Sequence, residues 1–305
     1  MSTIMIIIVN VIAGSSCLVY GVRMMGNSLE RINMNGIKNL LSRFAGNIMN
    51  SFFIGTIITA FVQSSTAVTI ITVGLVNAGI LRFNQALGII YGANIGTTIT
   101  AQFMSFNIIN YFPIFACIGL AIFLVSKKQS IKNVGKALLG FSLMLLGISV
   151  LNWSTPYMEK SQFVRNIFMK YGKNPYLGLL IGTAATMIVH SSSATVAFAI
   201  VLFNSSLINF DAAIGLILGD NIGTCFSTLI AGIGCSVSAR RTAWAHTIYN
   251  IIGSLTALLL LTPFASLVIA LTMAFGQNNL RLVANAHTLF NILSAIVFLP
   301  LTKYF

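Results

Sequence analysis

The chain repeats itself in register. A shift of 127 residues lays Gly55-Thr56 on Gly182-Thr183, Ser64-Ser65 on Ser191-Ser192, Asn77 on Asn204 and Gly88 on Gly215. It also lays Asn94-Ile95-Gly96-Thr97 on Asn221-Ile222-Gly223-Thr224, and 18 of the 43 pairs across residues 55–97 are identical without a gap. A duplication this regular constrains the fold strongly, because both copies must fold alike and share one structure. Internal repeats of this kind mark many transporter folds.

Composition says what solvent surrounds the two copies. Only 7% of the 305 residues are charged and 57% are hydrophobic, against about 25% charged in a soluble domain. Such a chain cannot cover a water-facing surface, so lipid is its solvent. A bilayer core needs roughly 20 apolar residues per helical crossing, and runs of that length recur; period-two alternation, the mark of an outer-membrane barrel, is missing. The expected class is an all-α polytopic membrane protein. The formal charge of +13 does not point to nucleic acid, because the basic residues fall between apolar segments rather than on one face. Cys17, Cys117, Cys225 and Cys235 lie in or at the ends of apolar segments without C-x-x-C spacing, so they read as small buried hydrophobes. The first apolar run lacks a basic leader and a clear cleavage site and reads as a first crossing rather than a signal peptide.

Crossings are expected near residues 4–25, 83–106, 108–125, 134–151, 210–233, 242–262 and 282–301, with interfacial stretches at 27–44 and 153–174. Two further apolar regions, about 46–81 and 175–208, are interrupted at their centres by Gln63-Ser64-Ser65-Thr66 and His190-Ser191-Ser192-Ser193. Each reads as a re-entrant helical hairpin. The first repeat then spans residues 1–127 (hairpin about 46–81, broken helix about 83–106). The second spans 128–305 (hairpin about 175–208, broken helix about 210–233) and carries the C-terminal helices. One repeat holds three full crossings, an odd number, so the second copy is inverted relative to the first. Charge agrees: this topology puts Arg23, Arg31, Lys38, Arg43, Arg82, Lys127, Lys128, Lys132, Lys136, Arg240, Arg241 and Lys303 on the cytoplasmic side, and only Lys160, Arg165, Lys170, Lys173 and Arg281 outside. The 12-to-5 split predicts an outside N-terminus and a cytoplasmic C-terminus.

A helix breaks inside hydrocarbon only where its freed backbone groups face protein or a water-filled cavity. Serine and threonine suit such a point, because their hydroxyls cap free N–H groups. The new helix N-terminus carries partial positive charge and spare donors, which favours an anion. Two such tips approaching from opposite sides predict a donor-rich cage for a small tetrahedral oxyanion. The glycine-rich segments around Gly88–Gly96 and Gly215–Gly223 invite unwinding or close approach. Asn94, Asn221, Thr97 and Thr224 there supply the neutral oxygens that a cation such as sodium uses in discontinuous helices. Packing between helices is the alternative use of each motif taken alone.

Asp220 is the acidic residue set plainly inside a crossing, which marks it for a functional role as a cation ligand or a proton carrier. Asp211 reads as a helix cap, and Glu30 and Glu159 as solvated. His246-Thr247-Ile248-Tyr249-Asn250 and His287-Thr288-Leu289-Phe290-Asn291 form a second echo, with histidine and asparagine on one helix face. An interhelical hydrogen-bonding role is favoured for these histidines over substrate contact.

These residues resemble the sodium/phosphate cotransporter family of animal type II carriers and their bacterial relatives. The likeness rests on the paired Q-S-S-S type motifs and on Gly92-Ala93-Asn94-Ile95-Gly96-Thr97-Thr98 with Gly219-Asp220-Asn221-Ile222-Gly223-Thr224. It implies phosphate bound by Gln63, Ser64, Ser65, Thr66, His190, Ser191, Ser192 and Ser193. Sodium would be held by Gln63, Ser65, Asn94, Thr97, Ser192, Asp220, Asn221 and Thr224. Thr66 departs mildly from the family pattern, and His190 replaces an amide with an imidazole. Many bacterial relatives add a soluble PhoU-like domain, which is not expected here. The resemblance implies a sodium-coupled secondary active transporter of inorganic phosphate in the plasma (bacterial inner) membrane. Its partners are phosphate, sodium and the bilayer, it needs no cofactor beyond sodium as coupling ion, and a homo-oligomer is left open. A passive or proton-coupled anion pathway on the same fold is the alternative. An intramembrane serine hydrolase fits less well, because one catalytic centre does not explain a duplicated serine cluster.

Overall fold

The structure, a computed structural model, describes residues 3–32, 34–106 and 108–304; the side chains of Asn35, Phe44, Glu159 and Arg165 lie outside the described set. All regular structure among the described residues is helical. The first copy holds α1 (Thr3–Glu30), α2 (Met34–Phe44), α3 (Ile48–Val62), α4 (Ser65–Asn77), α5 (Phe83–Ser105) and α6 (Phe112–Val125). The second holds α7 (Gln129–Lys160), α8 (Gln162–Tyr171), α9 (Pro175–Val189), α10 (Ser192–Asn204), α11 (Phe210–Ala231), α12 (Val237–Leu259), α13 (Leu261–Ala274) and α14 (Leu282–Leu301).

Among the described residues, four helices are long and apolar enough to cross a membrane, and up to six crossings result if each of two bent pairs counts as one. The expected seven separate crossings are therefore met in part. α5 and α6 meet at 85°, and α12 and α13 at 87°, the latter beside Pro263 as its placement suggests. Short amphipathic helices, α2 and α8, occupy the two stretches expected at the interface.

Glycine placement dictates how the long helices meet. Gly14 and Gly21 of α1 face Gly147 and Gly140 of α7, with backbone touching backbone. Rising numbers on one helix meet falling numbers on the other, so the equivalent helices of the two copies run antiparallel. In contrast, Gly88, Gly92 and Gly96 of α5 face Ile48, Phe52 and Thr56 of α3 in the same order. These helices are parallel, and the second copy repeats the arrangement with Gly215, Gly219 and Gly223 against Pro175, Leu179 and Thr183. A Cβ on any of these glycines would run into a backbone carbonyl of the neighbouring helix.

The start of α5 lies beside the start of α3, because the Gln85 amide donates to the Ala45 carbonyl. Likewise the Asn209 N–H donates to Gly172 O at 3.0 Å, bringing the start of α11 to the start of α9. With 15 residues, α3 travels about 22 Å from that point, so the 13-residue α4 must bring the chain back. Each interrupted region is thus a helical hairpin.

One expectation is corrected. Residues 83–106 and 210–233 are not broken: α5 and α11 are continuous over 23 and 22 residues. Their glycines serve close approach to α3 and α9 instead of unwinding, and every backbone hydrogen bond gained by staying helical favours that use. Within the two repeated segments that carry the motifs, the helix breaks lie at the hairpin tips.

Candidate functional site

Both tips are built alike. α3 ends with Gln63 and α9 with His190, each in the left-handed region (φ 58° and 53°). Their backbone N–H groups close the last turns on Thr59 O (2.7 Å) and Thr186 O (2.8 Å). That conformation usually falls to glycine or asparagine and costs other residues roughly 1–2 kcal/mol. The next residue in each copy is an N-cap: Ser64 Oγ accepts from Ala67 N–H (3.2 Å) and Ser191 Oγ from Ala194 N–H (3.4 Å). The capping role expected for serine is therefore present, and it engages the first serine of each motif.

The side chains at the left-handed residues repeat as well. Thr100 Oγ1 donates to Gln63 Oε1, while the Gln63 amide also donates to Ala60 O. In the second copy His190 Nδ1 lies 3.0 Å from Ser227 Oγ, and Ser227 is Thr100 shifted by 127. The imidazole also stacks on Phe226, ring centres 6.4 Å apart. His190 thus keeps the hydroxyl contact that the amide makes in the first copy.

Helix α1 ties the tips together. Arg23 donates to Val189 O at the second tip. One turn further on, Gly26 lies beside Gln63 O and Ser64 Cβ of the first, at 3.8 and 4.0 Å from where its own Cβ would be. One face of α1 therefore touches both breaks.

Between the tips lies a small cavity of about 10 Å³, the room roughly one water needs. Its wall is Ser65, Asn94, Thr97, Ser192, Asp220, Asn221, Thr224 and His287. Seven of the eight residues expected for sodium thus share one cavity, with Gln63 outside it. Of the set expected for phosphate, Ser65 and Ser192 reach the wall. Gln63, Ser64, Thr66, His190, Ser191 and Ser193 lie at the breaks and first turns around it.

Asp220 is 1% exposed. Its Oδ1 accepts from Thr186 Oγ1 at 2.7 Å, and the same hydroxyl lies 2.7 Å from Thr195 Oγ1. Its Oδ2 is buried without a partner among the described residues, a state that costs about 3 kcal/mol or more for a charged group. The copies differ here. Ala93 stands where the second copy has Asp220, and Thr59 Oγ1, the counterpart of the Thr186 hydroxyl, is buried without a partner among the described residues. The carboxylate makes the cavity one-sided.

Asp211 lies in the first turn of α11, but Asn209 is the cap, accepting from Ala212 N–H at 2.9 Å. His246 and His287 are both buried on α12 and α14. Among the described residues, no ring hydrogen bond between helices is formed by His246, whose two nitrogens have no partner, and Nδ1 of His287 also has none. Sequence reasoning missed His287 on the cavity wall and Arg23 at the second tip. The histidine echo was the available signal for the first; nothing local in the sequence points to the second.

The family described as Na+/Pi-cotransporter matches residues 17–152 and 159–299, both copies of the repeat. The chain belongs to the Na+/Pi-cotransporter family. That makes it a multi-pass membrane protein of a transporter family. Among its relatives, the "Uncharacterized protein YqeW" of Bacillus subtilis is 28% identical over 93% of this chain and 91% of its own length. The "Putative inorganic phosphate export protein YjbB" of Escherichia coli K12 is 26% identical over 97% of this chain, which spans only 54% of that protein. Human "Sodium-dependent phosphate transport protein 2B" is 36% identical over 91 residues, 29% of this chain and 13% of that one. No solved structure gives a significant match.

Proposed function

We propose that this Na+/Pi-cotransporter family member is a sodium-coupled secondary active transporter of inorganic phosphate. The observation that carries the proposal is the cavity walled by both tips and both Asn-Ile-Gly-Thr motifs, with an unpartnered Asp220 oxygen inside. A carboxylate, two amides and four hydroxyls form an oxygen-rich shell for a small, weakly charged cation, and a bound sodium ion offsets the burial of the charge. The cavity is too small for phosphate, so phosphate binds as the two tips separate, against Gln63, Ser64, Ser65, Thr66 and their counterparts His190, Ser191, Ser192 and Ser193. The half-helix N-termini of α4 and α10 face it with partial positive charge.

The antiparallel packing of α1 on α7 and the parallel packing within each copy support inverted repeats with re-entrant hairpins. Rocking of one copy against the other then opens the cavity to each side in turn. The excess of basic residues in alternate connections supports an outside N-terminus and a cytoplasmic C-terminus in the bacterial inner membrane. Direction of net flow follows the gradients, so import and export are two uses of one cycle.

The test is radiolabelled phosphate uptake into proteoliposomes under an inward sodium gradient, with matched potassium controls. Accumulation above equilibrium is expected only with sodium. Ser65→Ala and Ser192→Ala, which change the wall without touching the caps, should each lower uptake at least tenfold for the loss of a ligand hydrogen bond. Equal uptake in both salts that never exceeds equilibrium would exclude sodium coupling.

A further inference from the structure

α12 and α14 carry a second duplication. A shift of 41 residues lays Arg240, Ala243, Ala245, His246, Thr247 and Asn250 on Arg281, Ala284, Ala286, His287, Thr288 and Asn291. The two helices occupy exchanged places: α12 packs on α11 and on α4 and α5, while α14 packs on α5 and on α10 and α11. The equivalence is broken at the site. Asn94 donates to Asn250 Oδ1 at 3.0 Å, whereas Asn221 donates to its own helix at Ile217 O and Asn291 Oδ1 has no partner among the described residues. His246 is buried away from the cavity, while His287 lines it, 2% exposed and with Nδ1 unpartnered.

Once the tips part, phosphate enters beside Asp220, whose charge the bound sodium offsets, and it needs hydrogen-bond donors from the wall. The hydroxyls and amides of the wall donate hydrogen bonds but carry no charge. Imidazole is the one ring donor of the wall, and its Nδ1 has no partner among the described residues to compete for a ligand. We propose that His287 is an oxyanion-binding residue of the transport site, donating a ring N–H to phosphate once the separating tips have widened the space beside Asp220. This assignment rests on the proposed transport of phosphate and adds α14 to the elements that bind it.

The experiment is the phosphate concentration dependence of uptake into proteoliposomes at saturating sodium, with the sodium dependence measured alongside. His287→Ala should raise the phosphate KM about tenfold or more, as loss of a hydrogen bond to a charged ligand does, and leave sodium half-saturation nearly unchanged. His287→Gln, which keeps an N–H donor, should recover most of the affinity. His246→Ala removes an equally buried imidazole and should lower the yield of folded protein without moving KM. An unchanged KM in folded His287→Ala protein overturns the assignment while leaving the transport function standing, as does a shift confined to sodium half-saturation. Wild-type protein that carries no phosphate overturns both. Should the alanine variant fail to fold, the three histidines of the chain make ¹⁵N-histidine spectra of the wild type assignable. Phosphate must then shift the His287 ring signals and spare those of His246; the absence of that shift overturns the assignment.

Discussion

Gln63 and His190 hold the same left-handed turn and reach the same hydroxyl position on the next helix, one through an amide and one through an imidazole. Equivalent residues in the two copies can therefore differ in chemistry while their geometry persists. Asp220 and Ala93 are the opposite case, where geometry persists and the chemistry is supplied once. The unpaired Thr59 hydroxyl shows what the first copy lacks. At this scale the prediction concerns charge. Asp220→Asn keeps an acceptor for Thr186 but removes the charge, so sodium half-saturation should rise about ten- to hundredfold, equivalent to roughly 1.5–3 kcal/mol. Phosphate KM at saturating sodium should change far less. Sodium-activation curves in proteoliposomes decide it, and an unaltered sodium constant would remove Asp220 from the cation site.

The helices of the site are placed by glycine. α5 and α11 approach α3 and α9 so closely that Gly92 faces Phe52 O and Gly219 faces Leu179 O directly. A backbone carbonyl inside a helix cannot step aside, so Gly92→Val and Gly219→Val should each destabilise the fold by about 3 kcal/mol, the upper range for overpacking. Gly74 on α4 is a control, because a Cβ there meets nothing within 4 Å. Gly74→Ala should leave the thermal midpoint in detergent unchanged or higher, since alanine gains up to about 1 kcal/mol over glycine in a helix. If the valine variants melted like the wild type, the close packing of these parallel pairs would be refuted. The same packing explains why unwinding was a wrong expectation for these segments. Glycine spacing of four residues is shared by broken and by tightly packed helices, and only the neighbour tells them apart.

At the scale of the molecule, antiparallel contact between α1 and α7 sets the relation of the two copies. A prediction of sidedness follows. Single cysteines at Lys128 and Lys173, in a background freed of native cysteines, should react with an impermeant thiol reagent from opposite faces of the membrane. Lys128 should label from the cytoplasm and Lys173 from outside. Labelling of both from one face would refute inverted repeats, whatever the transport assays show. The bend between α5 and α6 joins a stretch that composition alone divides into two crossings.

The sequence by itself determined the helical membrane class, the duplication, the positions of both helix breaks and seven of the eight residues on the cavity wall. Each of these is written in local pattern: apolar run length, capping hydroxyls and a motif repeated at fixed spacing. Tertiary structure alone decided that α5 and α11 stay whole, that Ser64 and Ser191 are spent on caps, and that Ser65 and Ser192 face the cavity. It also brought Arg23 to the second tip and chose His287 over its echo His246 for the wall. Those choices depend on which helix lies alongside. α12 and α14 share the His-Thr-x-x-Asn motif, yet only His287 reaches the wall, because a different set of helices lies alongside each.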